Sequence, residues 1–219
     1  PLLNNWTTPH QVPPFNLIQN SHFEEAILEA IDEQTLEIEK IVQNKEKPTF
    51  NNTIIALEET GKKLKKVLPV FFNLASANTN QEIQNLSKKL APNLSKHNDA
   101  IYMDQALFSR VAAVWNSNEK NEITPVDQKL LENTYKAFLK NGALLSDSDK
   151  EALSEINSKL SLLSLEYGSN LLKETNSYKL WIENEAELKG LAPELIKEAA
   201  IASQAAGEPH KFLFTLHNP

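Results

Sequence analysis

SDKEALSEINSKLSLLSLEYGSNL, residues 148–171, sets Leu153, Ile156, Leu160, Leu163, Tyr167 and Leu171 at steps of three and four. A helix turns about 100° per residue, so this spacing lines the six side chains along one face. The stretch reads as the longest helix of the chain, starting near Ser146 or Ser148. Its stripe is expected to be buried against neighbouring helices in a bundle.

Working outward, the same period recurs towards the N-terminus. Phe23, Ile27, Ala30, Ile31, Gln34, Ile38, Ile41 and Val42 predict a helix over 21–44, opened by Ser21 and Glu24 at capping-box spacing. Lys47-Pro48 ends it, because the residue before a proline is pushed out of helical geometry. Apolar spacing predicts a second helix over 52–77, kinked at Pro69. Thr79 and Glu82 start a third, interrupted by Pro92, and 104–115 forms a fourth. Thr124-Pro125 opens a helix that stops at Asn141-Gly142.

The texture changes after Asn176. Ser177–Ile182 alternates polar and apolar residues and reads as a strand, as does 211–216. Two helices separate them, the second over 193–206 and stopped at Gly207. A crossover of that length suits parallel pairing, with a third strand between them as the other arrangement. The expected organisation is an extended segment over 1–20, a helical domain over 21–176 and a strand-helix-helix-strand region over 177–219. The fold class is mainly α, with one or two short strands near the C-terminal end. Ending just after a strand, the chain reads as a piece of a longer polypeptide.

Composition narrows the chemistry. Only five glycines punctuate 219 residues, which fits long uninterrupted helices. The formal charge of −7 argues against a nucleic-acid partner, since neutralising phosphates needs a basic face. Lys62, Lys63, Lys65 and Lys66 form the one basic cluster and read as a solvated helix face. No apolar run approaches the about 18 to 20 residues of a membrane span. The first residues lack the basic stretch and apolar block of a secretory leader. Zero cysteines exclude thiolate zinc sites, disulfides and thiol nucleophiles, and suit a reducing compartment such as the cytoplasm, with the periplasm as the other candidate.

The histidines are His10, His22, His97, His210 and His217, and none is paired in His-Glu-x-x-His, the one-turn spacing that puts two imidazoles on a zinc ion. Each reads as a surface or helix-cap histidine. Glu24-Glu25, Glu58-Glu59 and the group Asp147, Asp149 and Glu151 read as helix-start or solvated carboxylates. No nucleophile elbow and no phosphate-cradling glycine loop occurs. Phe71, Phe72, Phe108, Trp115, Tyr135 and Phe138 fall at helical spacing and are expected in the core. Taken alone, the residues nominate no catalytic, cofactor-binding or metal-binding position.

An ordered set of segments does carry a resemblance. It comprises Pro13-Pro-Phe15 with Ile18, His22 and Phe23; PTFNNTIIALEETG over 48–61; VFFNLASANTN over 70–80; Leu107-Phe108 with Arg110-Val111; Phe138 with Gly142-Ala143; Leu188-Lys-Gly-Leu191; and FTLHNP over 214–219. Together they resemble the thimet-oligopeptidase-like family of zinc metallopeptidases, near its bacterial peptidyl-dipeptidase and oligopeptidase A branches. Residues 70–80 and 111–115 look closer to the peptidyl-dipeptidases.

The resemblance implies a neurolysin-like fold with a deep channel between two halves. Its zinc is held in the C-terminal half by a His-Glu-x-x-His helix and a later glutamate, and none of these residues has a counterpart in this chain. This chain is then an inactive N-terminal wall of the channel, in a peptidase that cleaves short peptides and releases C-terminal dipeptides. Its partner is the C-terminal catalytic half of the same polypeptide. The rival reading is a free-standing helical module that binds a partner between its helices. A metal-storage bundle would need Glu-x-x-His helices, which the chain does not have.

Overall fold

Helix α1 (Ser21–Gln43) serves two cores at once, and this organises the first of two compact units, Pro1–Leu162. The computed structural model describes residues 1–216. After α1 the unit continues through a π-helical turn (Phe50–Ile55), the single turn α2 (Ala56–Glu58), α3 (Lys62–Ala77) and α4 (Gln81–Tyr102). Then come α5 (Gln105–Trp115), α6 (Pro125–Lys140) and the first half of α7 (Asp147–Ser177). Among the described residues the chain is mainly helical, with a single two-stranded sheet. Among the described residues no helix is long and apolar enough to cross a membrane.

The N-terminal end of α1 places Phe23, Ala26, Ile27 and Ala30 against Val67 and Phe71 of α3 and Ile83 and Leu90 of α4. Leu2 inserts into the same cluster, and Lys66 Nζ donates to the Asn4 carbonyl at 2.5 Å while lying over the Trp6 ring. The C-terminal end of α1 adds Ile38 and Ile41 to a second cluster with Phe50, Ile54, Leu107, Val111, Leu131 and Phe138. Burying each large side chain contributes roughly 1.5–3 kcal/mol. Phe71, Phe108 and Phe138 are core as expected, and Trp115 stacks half-buried on Tyr135 with ring centroids 4.9 Å apart. Phe72 is instead 46% exposed, because it turns out of α3 beside the inward-facing Phe71.

Several expected boundaries move for local reasons. Asn20 is already helical (φ −56°, ψ −37°), so Ser21 lies inside α1 and forms no cap. The Nδ1 atom of His22 accepts from the Gln19 N–H instead, at 3.1 Å. The predicted helix over 52–77 is broken at Thr60-Gly61, where Gly61 takes φ +66°, and its first part begins two residues early, at Phe50. Asn80, not Thr79, caps α4, its Oδ1 accepting from Ile83 N–H at 2.9 Å; a short amide is among the best N-caps. Pro92 does not interrupt α4, which runs unbroken from Gln81 to Tyr102. Packing by Ile83 and Leu90 outweighs the roughly 3 kcal/mol that a proline costs within a helix. Thr124 caps α6 as the sequence indicates, and Asp104 caps α5 through its side chain.

The 48–61 stretch has a structural meaning residue by residue. Thr49 Oγ1 accepts from Asn52 N–H while Asn52 Oδ1 accepts from Thr49 N–H, a reciprocal cap at 3.1 and 2.8 Å. Glu119 accepts from Phe50 N–H with both carboxylate oxygens, at 3.0 and 3.1 Å. At the far end Gly61 N–H donates to Glu37 Oε2 at 2.7 Å. A Cβ at Gly61 would stand 2.5 Å from the Gln34 side-chain amide. Gly61→Ala is therefore expected to destabilise the unit by about 1–3 kcal/mol, read as a lowered urea midpoint at unchanged slope.

On α6, Lys129 and Lys136 flank Glu132 one turn to either side and hold its carboxyl down at about 2 through hydrogen bonds and charge. A depressed carboxyl favours the folded state above its ordinary value near 4.5, and that contribution is lost as pH falls towards about 2. A carbon-13 NMR titration should find the Glu132 midpoint below those of exposed glutamates. A midpoint at the ordinary value would show that the pairing does not hold in solution.

The expectation for the long helix is overturned. α7 forms over Asp147–Ser177, with Ser146 Oγ accepting from Asp149 N–H at 3.2 Å, but its apolar stripe is not buried. Ile156, Leu160 and Leu163 are each 59% exposed and Tyr167 is 72% exposed. Of the stripe only Leu153 is half-buried, and the other half-buried side chains that follow it in the first unit are polar: Ser154, Asn157, Ser158 and Ser161. Asn157 Nδ2 donates to the buried Asp99 Oδ1 at 2.7 Å, and Lys150 Nζ donates to the Met103 carbonyl at 2.9 Å.

The second unit, Leu163–Pro219, contains the rest of α7, β1 (Leu180–Ile182), a 3-10 turn (Glu185–Leu188), α8 (Pro193–Ala205) and β2 (Phe212–Phe214). The strands pair directly and antiparallel, Trp181 opposite Leu213, so the parallel expectation is corrected. The connection holds two helical segments, α8 folds back on β2, and the left-handed Gly207 helps return the chain in the opposite direction. Leu188, Ala199 and Leu213 form its small buried centre.

Candidate functional site

Between its two apolar patches α1 turns polar, and the side chains there line a groove. Gln34 stands at the centre. Its Oε1 lies 2.8 Å from Nε2 of His97 on α4, and its Nε2 donates to Thr60 Oγ1 at 3.2 Å. Thr60 passes the chain on to the Leu57 carbonyl at 2.8 Å. His97, Gln34 and Thr60 thus link α4, α1 and the turn before α3 by hydrogen bonds in series. Leu64, Leu68 and Phe72 of α3 and Leu94 and Ile101 of α4 supply apolar walls, and the cavity measures about 470 Å3. Lys65 and Glu58 stand at its rim, 3.9 Å apart, with Lys65 Nζ also on the Glu58 carbonyl at 2.6 Å.

His97 is the titratable group of this groove. Burial pushes its imidazole below the ordinary value near 6.5, and the Asp32 carboxylate opposes that only in part. The fold therefore prefers neutral His97. The stability this gives is present above about 6.5 and is lost as pH falls through the lower folded value. Chemically the groove can hold an apolar group and offer amide and imidazole contacts at one end. The imidazole faces an amide rather than a serine, cysteine or carboxylate, so no nucleophile–base pair is formed here.

Only some of the other residues singled out in the sequence have structural partners. His10 and His210 are exposed, His22 closes the start of α1, and His217 lies outside the described residues. Glu24 pairs with Lys89 at 2.5 Å, Glu58 with Lys65, and Glu59 with Lys62. Asp147, Asp149 and Glu151 sit in the first turns of α7, where the helix dipole favours them. Among the described residues no three His, Asp or Glu side chains converge as a metal ion requires. These residues do not fit a zinc site.

Sequence reading missed two structured polar residues. His97 is half-buried rather than superficial, and it occupies the apolar spacing Leu90, Leu94, His97, Ile101, which was the available signal. Arg110 is 8% exposed on α5. Its guanidinium donates to the Asn44 carbonyl at 2.8 Å and to Asn52 Oδ1 at 3.2 Å. Its place within the apolar run Leu107–Val114 marked it as a buried cation.

No protein-family model matches the chain. It is 34% identical over 218 residues to the dipeptidyl carboxypeptidase of Escherichia coli K12, covering all of this chain and 32% of that enzyme. It is 29% identical over 208 residues to oligopeptidase A of Haemophilus influenzae, covering 95% of this chain and 30% of that enzyme. The thimet-like oligopeptidase of Dictyostelium discoideum is 26% identical over 176 residues, 79% of this chain and 25% of that protein. The chain spans about a third of the length of the curated relatives it matches. Along its whole length the chain is similar to peptidases of the thimet-oligopeptidase-like family, and it corresponds to an N-terminal portion of such a protein.

Proposed function

We propose that this chain is the non-catalytic N-terminal part of a zinc metallopeptidase that hydrolyses short peptides, forming one wall of the substrate channel. The observation that carries the reading is the similarity itself, which runs across the whole chain yet over a third of each peptidase. The higher identity to a dipeptidyl carboxypeptidase than to oligopeptidase A favours removal of dipeptides from the C-terminus. The metal would be held, and the scissile carbonyl attacked, by residues of the C-terminal catalytic half. The role of this chain is steric: a rigid helical wall limits the channel to short, unfolded peptides. Cytoplasm is the proposed compartment.

The test compares two proteins. The purified 219-residue chain with added zinc is expected to cleave no peptide, whereas the whole gene product releases C-terminal dipeptides and stops when a chelator is added. Hydrolysis by the chain alone, or none by the metal-loaded whole product, defeats the proposal.

A further inference from the structure

Two side chains of α1, one turn apart, hold the buried turn between α2 and α3. Gln34 Nε2 donates to Thr60 Oγ1 at 3.2 Å, and Glu37 Oε2 accepts from Gly61 N–H at 2.7 Å. Thr60 and Gly61 are both buried, and the Gln34 amide lies too close to Gly61 for a Cβ to fit between them. The proton positions follow by elimination. Thr60 spends its hydroxyl proton on the Leu57 carbonyl at 2.8 Å, so it can only accept from Gln34 Nε2. Gln34 Oε1 is then left to accept, and His97 Nε2 carries the proton donated across 2.8 Å. The orientation of the amide, and with it the tie to the turn, is set by His97.

We propose that His97, Gln34 and Thr60 form an acid-released latch, in which a second proton on His97 drives the imidazole out of the groove and frees the turn between α2 and α3. The second proton leaves the Nε2–H donor in place, so the latch does not fail for want of a hydrogen bond. It fails because a cationic ring is poorly solvated in a groove walled by Leu64, Leu94 and Ile101. The charged side chains around the ring are Asp32 and Glu39 of α1, Glu58 of α2, Lys65 of α3 and Asp104 before α5, and Tyr102 is the further titratable group of α4. Burial holds His97 below its ordinary value near 6.5, and Asp32 offsets this in part. The closed latch is therefore favoured above about 6.5 and is lost as pH falls through the lower folded value. With Gln34 released, Glu37 still ties Gly61 to α1, so the turn opens locally while the two cores stay packed.

Hydrogen exchange of the whole gene product at pH 7.5 and 5.5 provides the test, each rate being corrected for the intrinsic pH dependence of exchange. Protection over residues 57–64 should fall at least about threefold at the lower pH, because protonation of the released histidine pulls the opening equilibrium. Protection over residues 23–30, at the other end of α1, should stay constant. In His97→Gln, whose amide can donate to Gln34 but does not titrate, the fall should vanish. Thr60→Val cuts the far link of the latch and should leave protection over 57–64 low at both pH values, which keeps the test open should His97→Gln not fold. Constant protection over 57–64 in the unsubstituted protein overturns the proposal, as does an undiminished fall in either variant. A fall shared equally by residues 23–30 overturns it too, since the acid effect would then be global unfolding. Exchange is read without reference to activity, so the outcome is independent of the proposed function.

Discussion

Phe138→Ala should lower the stability of the first unit by about 3–5 kcal/mol, the usual cost of emptying a phenylalanine site in a core. Phe138 is fully buried, and its ring lies 5.1 Å from that of Tyr102 and 5.9 Å from that of Phe108. These contacts join α4, α5 and α6, so the cavity would open where three helices meet and none can close it alone. Leu139 is the control: next in sequence but 37% exposed, its alanine variant should cost less than about 1.5 kcal/mol, because more than a third of its surface stays in water and no closed cavity is left. Urea unfolding of both variants decides. Similar midpoints for the two would mean that the second cluster is not the rigid core described here.

Arg110→Met is expected to cost about 2–4 kcal/mol, since bonds from a charged donor contribute about 1.5–3 kcal/mol each and the carbonyls left behind are partly shut off from water. Arg110 holds the loop after α1 against the π-helical turn through Asn44 and Asn52, and Asn52 Nδ2 in turn donates to the Lys47 carbonyl at 3.0 Å. The loss should therefore be local as well as global. Hydrogen exchange over residues 44–53 should speed up in Arg110→Met more than in Phe138→Ala matched for overall stability. Arg110→Lys should recover only part, because one ammonium cannot span two acceptors that the guanidinium fork reaches together. Unchanged exchange in the loop would refute this assignment.

Helix identity was readable from residue spacing in nearly every case, because a repeated three–four pattern leaves few alternatives. The cap at Thr124 was readable for the same local reason. Boundaries that depended on competition were not. Asn80 outbid Thr79 by one residue, Gly61 split a periodic stretch at a left-handed position, and packing around Leu90 carried α4 through Pro92. The groove at Gln34 was hidden because it is assembled from α1, α3 and α4, and no single stretch contains it.

By itself the sequence determined the helical class, the segments that become helices, and the resemblance that led to the family, all of which depend on local order along the chain. It also dictated that residues 148–171 carry a single apolar face. Only the tertiary structure decided that this face points to water, that the two strands run antiparallel, and that Arg110 and His97 are held inside. Which neighbour a helical face meets depends on contacts distant in sequence, and periodicity carries no information about those.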